Sequence, residues 1–128
     1  MPGARILVVE DEPLIRMIAV EALQDAGFGV AEAANAAEAM AHLVGDDLRF
    51  DAAIIDIGLP DRPGDMLAED IRAVRPDLPI VIASGRGDAQ LAHRFSADPQ
   101  VRILGKPYHN EALSEALAAL GVRSAPRD

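Results

Sequence analysis

Cysteine is absent from the chain, and with it go disulfides, thiolate metal sites, iron–sulfur clusters and a cysteine nucleophile. Long apolar runs are absent too. None approaches the ~18 residues of a membrane-spanning helix, and residues 1–5 lead directly into a strand-like segment without a secretory leader pattern. The cytoplasm is the expected location. Positive charge is scarce: 12 Lys and Arg stand against 21 Asp and Glu, a net charge of -9. Nonspecific binding to nucleic acid or to an anionic membrane is therefore disfavoured, whereas a basic partner or a bound cation suits the chain. Apolar residues are plentiful, at 50% of the 128 positions, with 26% charged. That is enough to bury a core, and the length fits one domain, expected over residues 1–121 with a polar tail at 122–128.

Short apolar runs bounded by charge, Pro or Gly recur at residues 6–9, 52–55, 80–83 and 101–104, as expected of strands buried on both faces. A weaker run at 28–33 follows Gly27 and takes the second strand position. Helix-length segments separate them. Residues 13–26 open on Pro13 and stop at Gly27, 36–44 follow a capping Asn35, and a run capped by Asp65 ends at Val74 before Arg75-Pro76. Residues 88–97 and 110–120 complete the set. Strict alternation predicts an α/β fold: a doubly wound, five-stranded parallel sheet with right-handed crossovers and helices on both faces. On the first helix, Ile15, Ile18, Ala22 and Leu23 are assigned to the core, and Leu14 and Met17 to another face suited to docking.

In such sheets ligands bind beyond the carboxyl ends of the strands, near the point where strand order reverses. Those ends carry Glu10-Asp11-Glu12, Asp56, Ser84 and Lys106-Pro107. Carboxylates brought together resist joint ionisation unless a cation neutralises them. A hard divalent ion such as Mg²⁺ needs only one or two carboxylates, waters and a phosphate oxygen, and Asp11 and Asp56 fit as direct ligands. The plainer alternative is that Glu10, Asp11 and Glu12 cap the helix beginning at Pro13.

Val8-Val-Glu-Asp-Glu12, Ile54-Ile-Asp-Ile-Gly-Leu-Pro60, Ala83-Ser-Gly85 and Gly105-Lys-Pro107 together resemble the motif set of bacterial two-component response-regulator receiver domains, over nearly all of residues 4–120. The resemblance implies a flavodoxin-like strand order 2-1-3-4-5 and a phosphoacceptor at Asp56, supplied by a sensor histidine kinase, a histidine phosphotransfer protein or a small acyl phosphate. It also implies Mg²⁺ held by Asp11, Asp56 and the Gly58 carbonyl, with Glu10 acting through water. Ser84 and Lys106 would contact the phosphoryl oxygens, and a cis bond before Pro107 would aim Lys106 inward. Phosphorylation would shift a two-state equilibrium that controls binding to a downstream protein, without turnover catalysis.

The chain departs from the family where many members carry a switching aromatic, since Ile103 stands there. Pro79-Ile-Val-Ile-Ala-Ser-Gly85 is similar in part to the stand-alone FAT GUY receivers, which also lack that aromatic. The resemblance also implies that Arg86, two positions after Ser84, flanks the phosphoryl site and could contact the phosphoryl group, the plainer alternative being a solvated arginine on a loop. Two other classes share parts of the pattern. A Mg²⁺-dependent phosphatase with an aspartyl nucleophile wants a second acid where Gly58 stands. A flavin- or nucleotide-binding module wants a Gly-rich phosphate loop where Glu10-Asp11-Glu12 stands.

Overall fold

A computed structural model of the chain describes residues 4–45, 50–85, 89–106 and 110–122. Five parallel strands, β1 (Arg5–Val9), β2 (Gly29–Ala33), β3 (Ala52–Asp56), β4 (Ile80–Ser84) and β5 (Val101–Gly105), alternate with five helices. These are α1 (Pro13–Asp25), α2 (Ala36–Gly45), α3 (Gly64–Val74), α4 (Ala89–Arg94) and α5 (Asn110–Ala119). The sheet order is β2-β1-β3-β4-β5, as the resemblance implied.

The apolar runs read as strands because successive residues serve two different cores. Leu7, Val9, Ala53, Ile55, Ile80 and Ile82 point to the layer where α2, α3 and α4 supply Leu43, Leu67, Ile71 and Leu91. Ile6, Val8, Ala52, Ile54 and Val81 point to the other, where α1 and α5 supply Leu23, Leu113 and Leu117. Each fully buried aliphatic side chain contributes about 1.5–3 kcal/mol relative to exposure. The sheet interior is thereby fixed from both sides, and its carboxyl edge becomes a rigid mount. Gly27, at φ 97, lets the chain leave α1 in a left-handed conformation and turn into β2.

Helix α1 departs from expectation. Ile15 and Ile18 do not enter the core: they are 37% and 56% exposed, alongside Leu14 and Met17. Ala22 is half-buried, and the buried line runs through Ala19, Val20 and Leu23. One turn earlier, Arg16 takes the inward position. Its guanidinium donates to the Glu10 carbonyl at 2.7 Å and pairs with Glu32 at the end of β2 at 3.1 Å. So many apolar residues at helical spacing fit two faces equally, and only the sheet's position chooses between them.

The start of α3 is also corrected. Asp65 does not cap it; Pro63 holds the N-cap position without a side-chain cap bond. Asp65 lies in the first turn and pairs with Arg94 of α4. The helix is instead fastened to the sheet, because Gly64 N–H donates to the Ile57 carbonyl at 2.8 Å. Asn35 does cap α2, accepting from Glu38 N–H at 2.8 Å, while the Glu38 carboxylate accepts from Ala34 N–H at 2.9 Å.

The register of α1 is tested by paired substitutions. Leu23→Ala, at a site 1% exposed, is expected to cost about 2–5 kcal/mol. Ile18→Ser should stay within about 0.5 kcal/mol of wild type. Chemical denaturation of the two variants distinguishes this register from one that buries Ile18.

Candidate functional site

Parallel pairing places the site. Val9 is level with Ile55, Asp56 with Ala83 and Ser84 with Gly105, so the residues that end or follow β1, β3, β4 and β5 arrive at one edge. The chain runs from β1 outward to β2 on one side and returns to β3 on the other. Glu10 and Asp11 therefore face Asp56 across the crevice where strand order reverses.

Carboxylate oxygens of Glu10, Asp11 and Asp56 lie within 4.8 Å of one another. Glu10, Asp56 and Ser84 are buried, at 5%, 7% and 5% exposure, whereas Asp11 is exposed at the rim. The Lys106 ammonium donates to Asp56 Oδ1 at 2.5 Å and reaches Glu10 Oε1 at 3.4 Å. Asp56 Oδ2 accepts from Gly58 N–H at 3.1 Å, and Glu10 Oε2 from Glu12 N–H at 3.1 Å. Lys106 is anchored by its own backbone, whose N–H donates to the Ser84 carbonyl at 2.7 Å. It is also the chain's only lysine.

With every group charged, three carboxylates and one ammonium leave two net negative charges in a crevice partly shielded from water. That imbalance is what a divalent cation corrects. The donor set is all oxygen, as hard cations require, and the rim position of Asp11 leaves room for water and for a phosphate oxygen. The residues present thus fit a Mg²⁺ site. Burial raises the Glu10 pKa above the ordinary carboxylate range, and the charge of Asp56 adds to it, against the Glu12 amide and Lys106, which lower it. For Lys106, burial works against the ammonium, but hydrogen bonding to Asp56 and the charges of Asp56 and Glu10 outweigh it and raise the pKa. The amine stays protonated throughout the neutral range.

Glu10, Asp11, Asp56, Gly58, Ser84 and Lys106 are thus brought to one edge. Glu12 is the N-cap residue of α1 but makes no side-chain cap bond, which removes the capping alternative for that residue. Ile103 is half-buried against the α2–α4 core. Arg86 and the bond to Pro107 lie outside the described residues.

Gly64 was not singled out in the sequence. A Cβ on it would lie 2.3 Å from the Asp56 carbonyl oxygen and 2.8 Å from Ile57 Cα. Helix α3 thus starts hard against the backbone of Asp56. The available signal was a glycine directly after Pro63 at a helix start, the end where glycine is less favoured.

The family model of the response regulator receiver domain matches residues 6–118, and the chain belongs to that family. It is 32% identical over 112 residues to the sensor kinase CckA of Brucella abortus, covering 88% of this chain and 12% of that protein. It is 32% identical over 105 residues to the response regulator receiver protein CpdR of the same organism, covering 82% of this chain and 86% of CpdR. The chain spans only about an eighth to a half of CckA and of other matched relatives, including the DNA-binding transcriptional regulator NtrC of Rhizobium meliloti and PhoP of Escherichia coli. Among solved structures, a receiver domain protein from Clostridium thermocellum superposes with a TM-score of 0.84 at 26% identity, covering 92% of this chain and 94% of that one. The response regulator TrrA of Thermotoga maritima, in complex with Mg²⁺ and BeF, superposes with a TM-score of 0.74 at 28% identity, covering 91% and 98%.

Gly64→Ala should displace the Asp56 backbone or the start of α3. Overpacking of this kind costs about 1–3 kcal/mol, and the amide resonances of Asp56 and Ile57 should shift in the metal-free protein. A variant with wild-type stability and unmoved resonances would show that the contact yields without cost.

Proposed function

We propose that Asp56 accepts a phosphoryl group from a phosphohistidine of a sensor kinase or phosphotransfer protein, or from a small acyl phosphate, in a Mg²⁺-dependent reaction in the cytoplasm. The observation that carries this reading is the Lys106 ammonium 2.5 Å from Asp56 Oδ1, inside a cluster of three carboxylates. A carboxylate oxygen of Asp56 forms a bond to phosphorus as the donor's bond to phosphorus breaks, P–N in a phosphohistidine and P–O in an acyl phosphate. The electron pair of that bond leaves with the imidazole or with the carboxylate. Hydrolysis later returns Asp56 and inorganic phosphate.

Phosphoryl transfer depends on in-line positioning and on neutralising the equatorial oxygens, and the ammonium beside Asp56 supports the second of these. Mg²⁺, held by Asp11, Asp56 and the Gly58 carbonyl with Glu10 in support, supplies positive charge to those oxygens when bound. Lys106 would supply a second positive charge beside Asp56, and the Ser84 hydroxyl a hydrogen-bond donor. Gly58 N–H orients the carboxylate through Oδ2. Because the phosphoryl group stays covalently on the protein until hydrolysis removes it, the domain acts as a switch and not as a turnover catalyst.

Two surfaces suit partners. Leu14, Ile15, Met17 and Ile18 form an exposed apolar face on α1 beside Asp11, suited to docking the donor. On the far side, α4, β5 and α5 enclose a groove of about 510 Å³ lined by Phe95, Ile103, Leu104 and Ala116. Movement of Ser84 toward a phosphoryl group would pass along β4 to this groove, where a downstream protein binds one state better than the other.

Intact-mass measurement after acetyl phosphate treatment should show one added phosphoryl group in wild type with Mg²⁺, none after chelation, and none in Asp56→Asn. Full labelling of Asp56→Asn would remove the assignment. Changing Leu14 and Met17 together to Ser should slow transfer from the donor protein at least about tenfold, the loss expected where anchoring apolar residues contribute over 1 kcal/mol, and leave labelling by acetyl phosphate unchanged. Equal slowing by both routes would make the two residues structural.

A further inference from the structure

The loop between β3 and α3 carries Gly58, and its shape decides where that residue's amide and carbonyl point. Gly58 is exposed and has no side chain to define its own backbone. Three residues further on, Asp61 reaches across to the start of α2. Its Oδ1 accepts from Ala36 N–H at 2.9 Å and its Oδ2 from Ala37 N–H at 3.0 Å. These bonds hold the Asp61 pKa below the usual carboxylate range, the Ala36 amide contributing most.

Helix α2 already has a local cap, since Asn35 takes the Glu38 amide and Glu38 takes the Ala34 amide. The Ala36 and Ala37 amides remain, and the chain satisfies them from 25 and 24 residues away. A cap from such a distance restrains the segment that provides it as well as the helix that receives it. Between the anchor and Gly58 lie Leu59, which is buried at 8% exposure, and Pro60, whose ring fixes φ. The connection from Asp61 to Gly58 is short and stiff. On the other side of the anchor, Arg62 pairs with Asp70 through two bonds of 2.5 and 3.2 Å.

We infer that Asp61 is a positioning residue for the metal site: by capping α2 it holds residues 57–61 so that Gly58 N–H stays on Asp56 and the Gly58 carbonyl stays available to a divalent cation. The inference rests on the phosphoacceptor reading above and extends it to a residue that touches neither the cation nor the phosphoryl group.

The test compares wild type, Asp61→Ala, Asp61→Asn and Asn35→Ala in the full chain. Three quantities are measured: calorimetric binding of Mg²⁺ alone, hydrogen exchange at the Gly58 amide in metal-free protein, and thermal unfolding. Asp61→Ala should weaken Mg²⁺ binding about tenfold, the lower end of losses seen when groups supporting metal ligands are removed, and should speed Gly58 exchange. Asp61→Asn keeps one acceptor oxygen and should fall between. Asn35→Ala uncaps the same helix without touching the loop, so it should lower thermal stability yet leave Mg²⁺ affinity and Gly58 exchange unmoved. Unchanged affinity and exchange in Asp61→Ala, or equal shifts in Asn35→Ala, would overturn the inference while leaving Asp56 labelling of wild type intact. A wild type that neither binds Mg²⁺ nor labels at Asp56 would overturn the parent reading and this one with it.

Discussion

Mutual repulsion of carboxylates at the end of a parallel sheet is the constraint around which this domain is arranged. Glu10 and Asp56 are almost fully buried, Asp11 stands within 4.8 Å of both, and a single ammonium answers them. No arrangement of the two cores relieves that repulsion, since the strands that bring the acids together are the ones the cores hold. The cluster is left short of positive charge, a deficit that a divalent cation could offset. The repulsion is an electrostatic cost that the buried hydrophobic layers on both faces of the sheet hold in place.

The division of labour between the two kinds of basic residue follows from their shapes. Arginine forks join elements: Arg72 pairs with Asp98 and donates to the carbonyls of Arg75, Pro76 and Leu78, closing the end of α3. Arg94 spans from α4 to Asp65 and Glu69 on α3, and Arg75 donates to the Leu43 carbonyl at the end of α2. A planar guanidinium suits such multiple contacts, whereas the compact ammonium of Lys106 fits between two carboxylates and can turn toward a new oxygen. Helix α4 is described over the 6 residues Ala89–Arg94, and among its described side chains only Leu91 is buried, with Arg94 binding it to α3. So few buried side chains leave α4 lightly held against the sheet.

Much of the fold was legible because the strands are continuous apolar runs and the helices carry ordinary stop signals. The strands and helices fell within a residue or two of their expected bounds, apart from a shorter α4. The acidic cluster was legible because strand ends in a doubly wound sheet converge by topology, so Glu10, Asp56 and Lys106 could be placed together without knowing a single distance. What escaped the sequence depends on contacts between distant segments. Ile15 and Ile18 were assigned inward because α1 offers two apolar faces, and the choice lies with where the sheet stands, which turns Arg16 toward Glu32 and the Glu10 carbonyl instead. Asp65 looked like a cap because it precedes an apolar run, but Gly64 is drawn against Asp56 and starts the helix two residues earlier than a cap at Asp65 would.

The scarcity of lysine gives the domain a built-in spectroscopic handle. Eleven of its twelve basic side chains are arginine, so the ε-amine of Lys106 is the only one in the chain. Reductive methylation with isotopically labelled formaldehyde would therefore place a single side-chain methyl reporter on the molecule, and its nitrogen lies 2.5 Å from Asp56 Oδ1. Apart from the terminal α-amine no other amine would be labelled, so the crowding of signals that complicates lysine-rich proteins does not arise. One side-chain resonance would follow the local charge at the Asp56 cluster directly.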